Sequence, residues 1–298
     1  MFPPTGVGCR RRCRSRGARD GWNHGPVTAP ATSTDPRTGV EVRWADPTVL
    51  AGRLDLLDDT DLAELEAHSL PARRAGFVAG RVLTKLLLAE VTGRAADAVR
   101  IRRHCGLCGS ADHGKPYPAE PDALPLSLSH APGIVLVAVG GPGPLGVDVT
   151  EVAATAFEGF ERVALTPEER TGNWRHHERA RYWSRKEAAL KATGVGLSID
   201  PRDVGATRPD RPPAVRHWPL GIPVEDLHLV DLDLPADFRA CVAVQHPGPR
   251  PQVRCRAWSG SPDSTPPGSS LIRSDTAENS DIGQAMMNSD QITDNRHE

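Results

Sequence analysis

Apolar positions in this chain recur with two periods, one suited to strands and one to helices. Val40-Glu41-Val42-Arg43-Trp44 alternates with period two and predicts a half-buried strand. Leu54 to Ser69 predicts a short acidic helix. Arg73 to Val91 follows the helical period and is closed by Gly93. Val82, Leu83, Leu86 and Leu87 form one flank, and Arg74, Arg81 and Lys85 line up as a stripe on another. Leu124 to Val149 divides into three strands. In the first, Leu126 and Leu128 alternate with Ser127 and Ser129, so the serines share a face. A turn at Ala131-Pro132-Gly133 leads to the apolar run Ile134 to Val139. A second turn, Gly140 to Pro144, leads to Leu145-Gly146-Val147-Asp148-Val149.

Phe157 to Asn173 holds a capped helix start, with Thr166 as N-cap and Pro167 in the first helical position. Arg181 to Gly194 has no proline, is rich in strong helix formers and ends on glycine, so it predicts a helix. Asp226 to Leu234 and Phe238 to Gln245 predict paired strands that complete a second sheet. Outside residues 40–247 the periods vanish. Residues 1–39 are expected to be a disordered extension, or to lie upstream of the true start. Residues 248–298 are expected to be a disordered tail.

Composition narrows the possibilities. A chain of 298 residues allows one or two domains, and a formal charge of −2 gives no general nucleic-acid or membrane signal. No apolar run is long enough to span a bilayer, and the arginines of residues 10–19 are not followed by the apolar core of a signal peptide. With no aromatic residue among them, they predict a solvated tail rather than a nucleic-acid arm. Six cysteines without dense regular spacing fit a reduced, cytoplasmic setting. Only four of the 36 basic residues are lysines (Lys85, Lys115, Lys186 and Lys191), and all four fall inside the candidate motifs. A compact ammonium and a planar guanidinium are not interchangeable beside a phosphate, so this placement points to function.

On the helix at 181–194, Trp183, Glu187 and Lys191 share one face and Lys186 lies beside them. The set suits a metal held next to a polyphosphate, or a solvated face with i,i+4 ion pairs. Asp148, among apolar neighbours, needs a cation or hydrogen-bond donors. An arginine would serve, and so would a Mg²⁺ shared with Glu187. The Arg74, Arg81, Lys85 stripe either gathers an anion or faces solvent. Cys105 and Cys108, with His104 or His113, have ligands for zinc, though no second Cys pair follows at a zinc-finger distance. Gly114-Lys115-Pro116 predicts a turn that aims an ammonium into a cleft. Ser129 and His130 lack the surroundings of a nucleophile elbow and suit the gripping of a phosphate or ribose.

Taken in order, G-K-P at 114–116, S-L-S-H at 127–130, G-V-D-V at 146–149 and W-S-R-K-E-A-A-L-K at 183–191 resemble the 4′-phosphopantetheinyl transferases of the surfactin-synthetase-activating type. R-R-A-G-F-V-A-G-R at 73–81 is similar to that family too. The resemblance implies an α+β fold of two similar α+β halves in pseudo-twofold arrangement, here near 40–146 and 147–247, with coenzyme A between them. It implies transfer of 4′-phosphopantetheine from coenzyme A to a serine of an acyl or peptidyl carrier protein, by a monomer that needs neither nucleic acid nor membrane. Polyketide, nonribosomal peptide and fatty-acid partners all fit. Asp148 and Glu187 match the family's Mg²⁺ ligands. Arg74, Arg81, Lys115, Ser129 and His130 match residues that hold the phosphates and adenosine part, and Lys186 and Lys191 match lysines beside the pyrophosphate. Glu187, or a water held by the metal, would take the serine proton, and Lys191 would assist the leaving phosphate. Many members carry a third acid where this chain has Thr150, which leaves Thr150, Glu151 or water to complete the metal shell. The competing expectations are a zinc-stabilised nucleic-acid-binding module and an inactive coenzyme A-binding homologue.

Overall fold

Both periods are realised in the computed structural model of the chain, which describes residues 35–259 apart from 107, 112, 121 and 195. The expected disorder over 1–34 and 260–298 lies outside the described residues. The strands are β1 (Gly39–Ala45), β2 (Ile101–His104), β3 (Lys115–Pro118), β4 (Leu126–Ala131), β5 (Ile134–Gly140), β6 (Leu145–Glu151), β7 (Gly205–Ala206), β8 (Val215–His217), β9 (Leu227–Leu232), β10 (Phe238–Gln245) and β11 (Gln252–Ala257). The helices are α1 (Asp59–Glu66), α2 (Pro71–Thr92), α3 (Phe160–Ala164) and α4 (His176–Thr193).

Two sheets carry the fold. One has the order β11-β1-β5-β4 and the other β6-β10-β9. Alternate residues of each strand feed different cores. Val135, Val137 and Val139 of β5 pack with Val78, Val82, Leu83 and Leu87 of α2. Ile134, Leu136 and Ala138 point the other way and meet Val147 and Val149 of β6 and Val242 of β10. Cys241 and Ala243 of β10 complete the pattern by packing on Ala188, Ala189 and Ala192 of α4. The layers therefore run α2, first sheet, second sheet, α4. With both faces covered, β5 reads as one apolar run rather than an alternation.

Side chains close the junction between the sheets. β4 and β6 are edge strands of different sheets, and an edge N–H buried between layers must find an acceptor. The Val147 N–H donates to Ser127 Oγ at 2.9 Å, and the Val149 N–H donates to Ser129 Oγ at 3.2 Å. The shared serine face expected from the alternation is thus what binds the two sheets.

The expected boundary at 247 falls short. After Pro251 the chain returns to the first sheet, where β11 pairs in parallel with β1 from Gly39↔Gln252 to Trp44↔Ala257. Val253 and Cys255 pack on the core between the sheets, and Trp258 packs on the other side. The alternation Val253-Arg254-Cys255-Arg256 carried that signal, but a proline-rich approach concealed it.

Arg81 and Lys85 of the basic stripe on α2 do not face solvent. α1, whose first turn is closed by a reciprocal cap between Asp58 and Asp61, lays its acids over that stripe. Arg81 Nε lies 3.0 Å from Asp61, its Nη2 lies 2.7 Å from Glu64, and Lys85 Nζ lies 2.6 Å from Asp61. Lys85 and Asp61 are both fully buried, which only mutual neutralisation makes tolerable. Among the described residues, no helix is long and apolar enough to cross a membrane.

Candidate functional site

The site begins with a glycine. A Cβ at Gly146 would sit 2.0 Å from the Ala188 carbonyl oxygen and 2.4 Å from the Ala192 nitrogen, so β6 and α4 approach backbone to backbone. That contact is open to glycine alone. Gly146, Asp148 and Thr150 occupy the face of β6 opposite to Val147 and Val149, which pack between the sheets. The Gly-Val-Asp-Val run therefore brings α4 close and aims a carboxylate at it two residues later.

Asp148 is buried and surrounded by donors. Its Oδ1 accepts from Lys191 Nζ at 2.7 Å and from Ser129 Oγ at 2.9 Å, and its Oδ2 accepts from Thr150 Oγ at 2.9 Å. Lys191 also reaches Ser129 Oγ at 3.1 Å. Glu187 lies one turn before Lys191 on α4 and has no such company. It is 9 % exposed, and its Oε1 is buried without a hydrogen-bond partner. Burial, then the nearby charge of Asp148, pushes the Glu187 carboxyl up to about 7, partly opposed by Lys191. Asp148 is thus paired with the Lys191 ammonium, while Glu187 feels the charge of both without a bond to either. A buried carboxylate oxygen with no donor is the mark of a group awaiting a cation or a proton. These hard oxygen donors fit Mg²⁺, which takes one or two carboxylates and fills its shell with phosphate oxygens and water.

The remaining expected site residues divide. Lys115 joins the site from behind: its ammonium donates to the carbonyls of Leu145 at 2.7 Å, Lys191 at 2.9 Å and Ala192 at 3.4 Å. It thereby caps the C-terminal end of α4, where a cation is favoured. Burial pulls its pKa down to about 8. Lys115, Lys191, Ser127 and Leu128 line a cavity of about 320 Å³. On the other side of Leu128 a second cavity of about 310 Å³ contains His68, Arg73, Arg81, Arg103 and His130. The His130 ring packs over Gly76 of α2. Burial, then the Lys191 charge, lowers its pKa, with Asp148 opposing.

Arg74 and Lys186 are held elsewhere. Arg74 donates to the carbonyls of Leu65 and His68, tying α1 to α2. Arg81 keeps its acidic partners while bordering the second cavity. Lys186, expected beside a pyrophosphate, points to another flank of α4. It donates to Ala164 O at 2.7 Å, Glu169 Oε2 at 2.5 Å and Pro201 O at 3.1 Å. An ammonium has three protons, and all three are engaged. Glu169 in turn accepts from the backbone N–H groups of Thr166 and Ala206. Sequence reasoning missed Glu169, although Thr166-Pro167-Glu168-Glu169 has the spacing of a reciprocal cap. Here only a single 3-10 turn follows that cap, at Glu169–Thr171. A cavity of about 1050 Å³ also lies on that flank, beside Glu169 and Tyr182, and none of Asp148, Glu187 and Lys191 borders it.

In an alignment 178 positions long that covers 52 % of this chain, it is 30 % identical to a protein named phosphopantetheinyl transferase from Thraustochytrium sp. (strain ATCC 26185 / S-3). It spans about 59 % of that relative's length. Residues 144–243, the stretch holding Gly146, Asp148, Glu187 and Lys191, match the family model of the 4′-phosphopantetheinyl transferase superfamily.

Proposed function

We propose that the chain transfers 4′-phosphopantetheine from coenzyme A to the serine hydroxyl of an acyl or peptidyl carrier protein. It would be a holo-carrier-protein synthase of the surfactin-synthetase-activating type, its two sheet-and-helix layers being related halves. The observation that carries this reading is the meeting of Asp148, Glu187 and Lys191 where α4 lies on β6, inside the matched stretch.

In the reaction the serine oxygen attacks the β-phosphorus, and adenosine 3′,5′-bisphosphate leaves with the electron pair of the broken P–O bond. Asp148 and Glu187 would hold Mg²⁺, which supplies charge neutralisation at the pyrophosphate oxygens. Lys191 is only partly buried and can turn from Asp148 toward a phosphate oxygen without losing its helix position. Glu187 is placed to accept the serine proton, since its Oε1 has no donor to give up. Ser129 and Thr150 fix the Asp148 carboxylate, so that little reorganisation accompanies the growth of charge. Lys115 holds the end of α4 and with it the position of Lys191. The cavities on either side of Leu128 supply basic walls for the nucleotide, with His130 and Arg81 in one and Lys115 in the other.

The test is mass spectrometry of an apo-carrier protein incubated with the chain, coenzyme A and MgCl₂. A gain of one phosphopantetheine arm, absent with Glu187→Gln, is expected. Binding of coenzyme A without transfer would identify an inactive homologue and remove the catalytic assignment.

A further inference from the structure

The loop joining β2 to β3 brings together soft ligands that the transferase reading leaves unused. One donor atom each from Cys105, Cys108 and His113 lies within 4.8 Å of the others, and Cys108 Sγ is 3.3 Å from His113 Nε2. A tetrahedral zinc about 2.3 Å from sulfur and about 2.0–2.1 Å from nitrogen would set these atoms about 3.5–3.8 Å apart, so little movement is needed. Backbone geometry prepares the pair. The Gly109 N–H donates to the Cys105 carbonyl at 2.8 Å, and the Cys105 N–H donates to the Ser110 carbonyl at 2.9 Å. Gly109 has φ +76°, the left-handed conformation that lets the chain fold back just after the second cysteine. This turn points both sulfurs to one side, where the histidine five residues on meets them.

We infer that Cys105, Cys108 and His113 bind one zinc ion, with a fourth position left to solvent. Two thiolates and a neutral imidazole balance the dication, and this soft donor set selects zinc over the magnesium suited to Asp148 and Glu187. The ion pins the loop whose far end is Gly114, with φ +101° and no room for a Cβ, which would meet the His104 carbonyl oxygen at 2.3 Å. Directly after it Lys115 seats on the end of α4. Cys105 and Lys115 also line the same 320 Å³ cavity, as does Lys191. Zinc therefore fastens the hairpin that reaches across to α4 and sets one wall of that cavity. The site stands whether or not the chain is a transferase.

The full chain, purified under reducing conditions without chelator and equilibrated with ZnCl₂, is desalted and its metal measured by mass spectrometry. One zinc per chain is expected, lost in Cys108→Ser and in His113→Ala but kept in Cys255→Ser, whose sulfur lies on β11. In case a variant misfolds, the wild-type chain loaded with Co²⁺ gives an independent reading. It should show thiolate-to-cobalt charge-transfer absorption that excess MgCl₂ does not displace and ZnCl₂ does. A metal-free wild-type chain, unchanged zinc in Cys105→Ser/Cys108→Ser, or an absence of thiolate–cobalt bands overturns the site. Carrier-protein modification is assayed separately, so either reading can fail alone.

Discussion

Gly146 lies directly beneath Ala188: a Cβ there would come 2.0 Å from the Ala188 carbonyl oxygen. The atoms in the way are helix backbone, which cannot turn aside as a side chain can. Gly146→Ala must then lift α4 off β6, and Glu187 and Lys191 move with it. Overpacking of this kind destabilises by about 1–3 kcal/mol. We expect a loss near the upper end in urea unfolding, together with a large fall in carrier-protein modification. Unchanged activity would mean that the spacing of helix and strand does not position the acids.

Gly146 also shows how far the sequence could be read. The Gly-Val-Asp-Val strand and the helix at 181–194 were legible from alternation and helix-forming residues, and their meeting was expected from resemblance. That Gly146 permits it needed the structure, because a glycine in a strand has many possible reasons. Neighbouring lysines were harder still. Lys186 and Lys191 both lie on α4, but burial against Glu169 claims one and Asp148 claims the other. A helical wheel separates their directions without saying what waits in each. The partners of Arg81 and Lys85 were hidden for the same reason, since their acids arrive on a different helix. α4 begins at His176, five residues before the expected start, because His176-His177-Glu178-Arg179 offers no apolar period.

Lys186→Met should act on stability rather than chemistry. It strands the Glu169 carboxylate, which is buried with two backbone donors but no cation, and breaking such a pair costs about 3–5 kcal/mol. Glu169→Gln added to Lys186→Met should restore part of the loss by removing the orphaned charge. Denaturant unfolding of the single and double variants checks both steps. A Lys186→Met chain of normal stability but without transfer would instead put this lysine at the substrate.

Glu187 predicts a stability that falls with pH when divalent ions are chelated. Its folded pKa is about 7, against about 4.5 ordinarily. Between the two the folded chain binds the extra proton, so its contribution is complete below about 4.5 and declines as pH rises through about 7. At pH 8 the ionised carboxylate should cost on the order of 3 kcal/mol, at about 1.4 kcal/mol per pKa unit. Glu187→Gln, neutral at every pH, should then be more stable than the wild type at pH 8 in EDTA and equal to it near pH 4, while losing transfer. Parallel pH profiles of the two melting temperatures would refute the shifted carboxyl.

Thr150 offers the sharpest test of the proposed magnesium site. Its hydroxyl donates to Asp148 Oδ2 from the same face of β6, in the position where a third acid would stand. Thr150→Asp replaces a donor with a carboxylate of similar size. Three acids would then share the single ammonium of Lys191, and without metal the repulsion should lower the melting temperature and raise the Glu187 pKa further. Added MgCl₂ reverses this if the three carboxylates face one ion. A ligand that binds only the folded chain stabilises it by about 2.7 kcal/mol at a hundredfold excess over its Kd. The variant, with one more acid, should reach that excess at a lower MgCl₂ concentration than the wild type. Calorimetric titration and thermal melts in EDTA and in MgCl₂ measure both quantities. If Thr150→Asp gains no more from magnesium than the wild type does, the ion does not sit between Asp148 and Glu187, and Lys191 alone would balance the two acids.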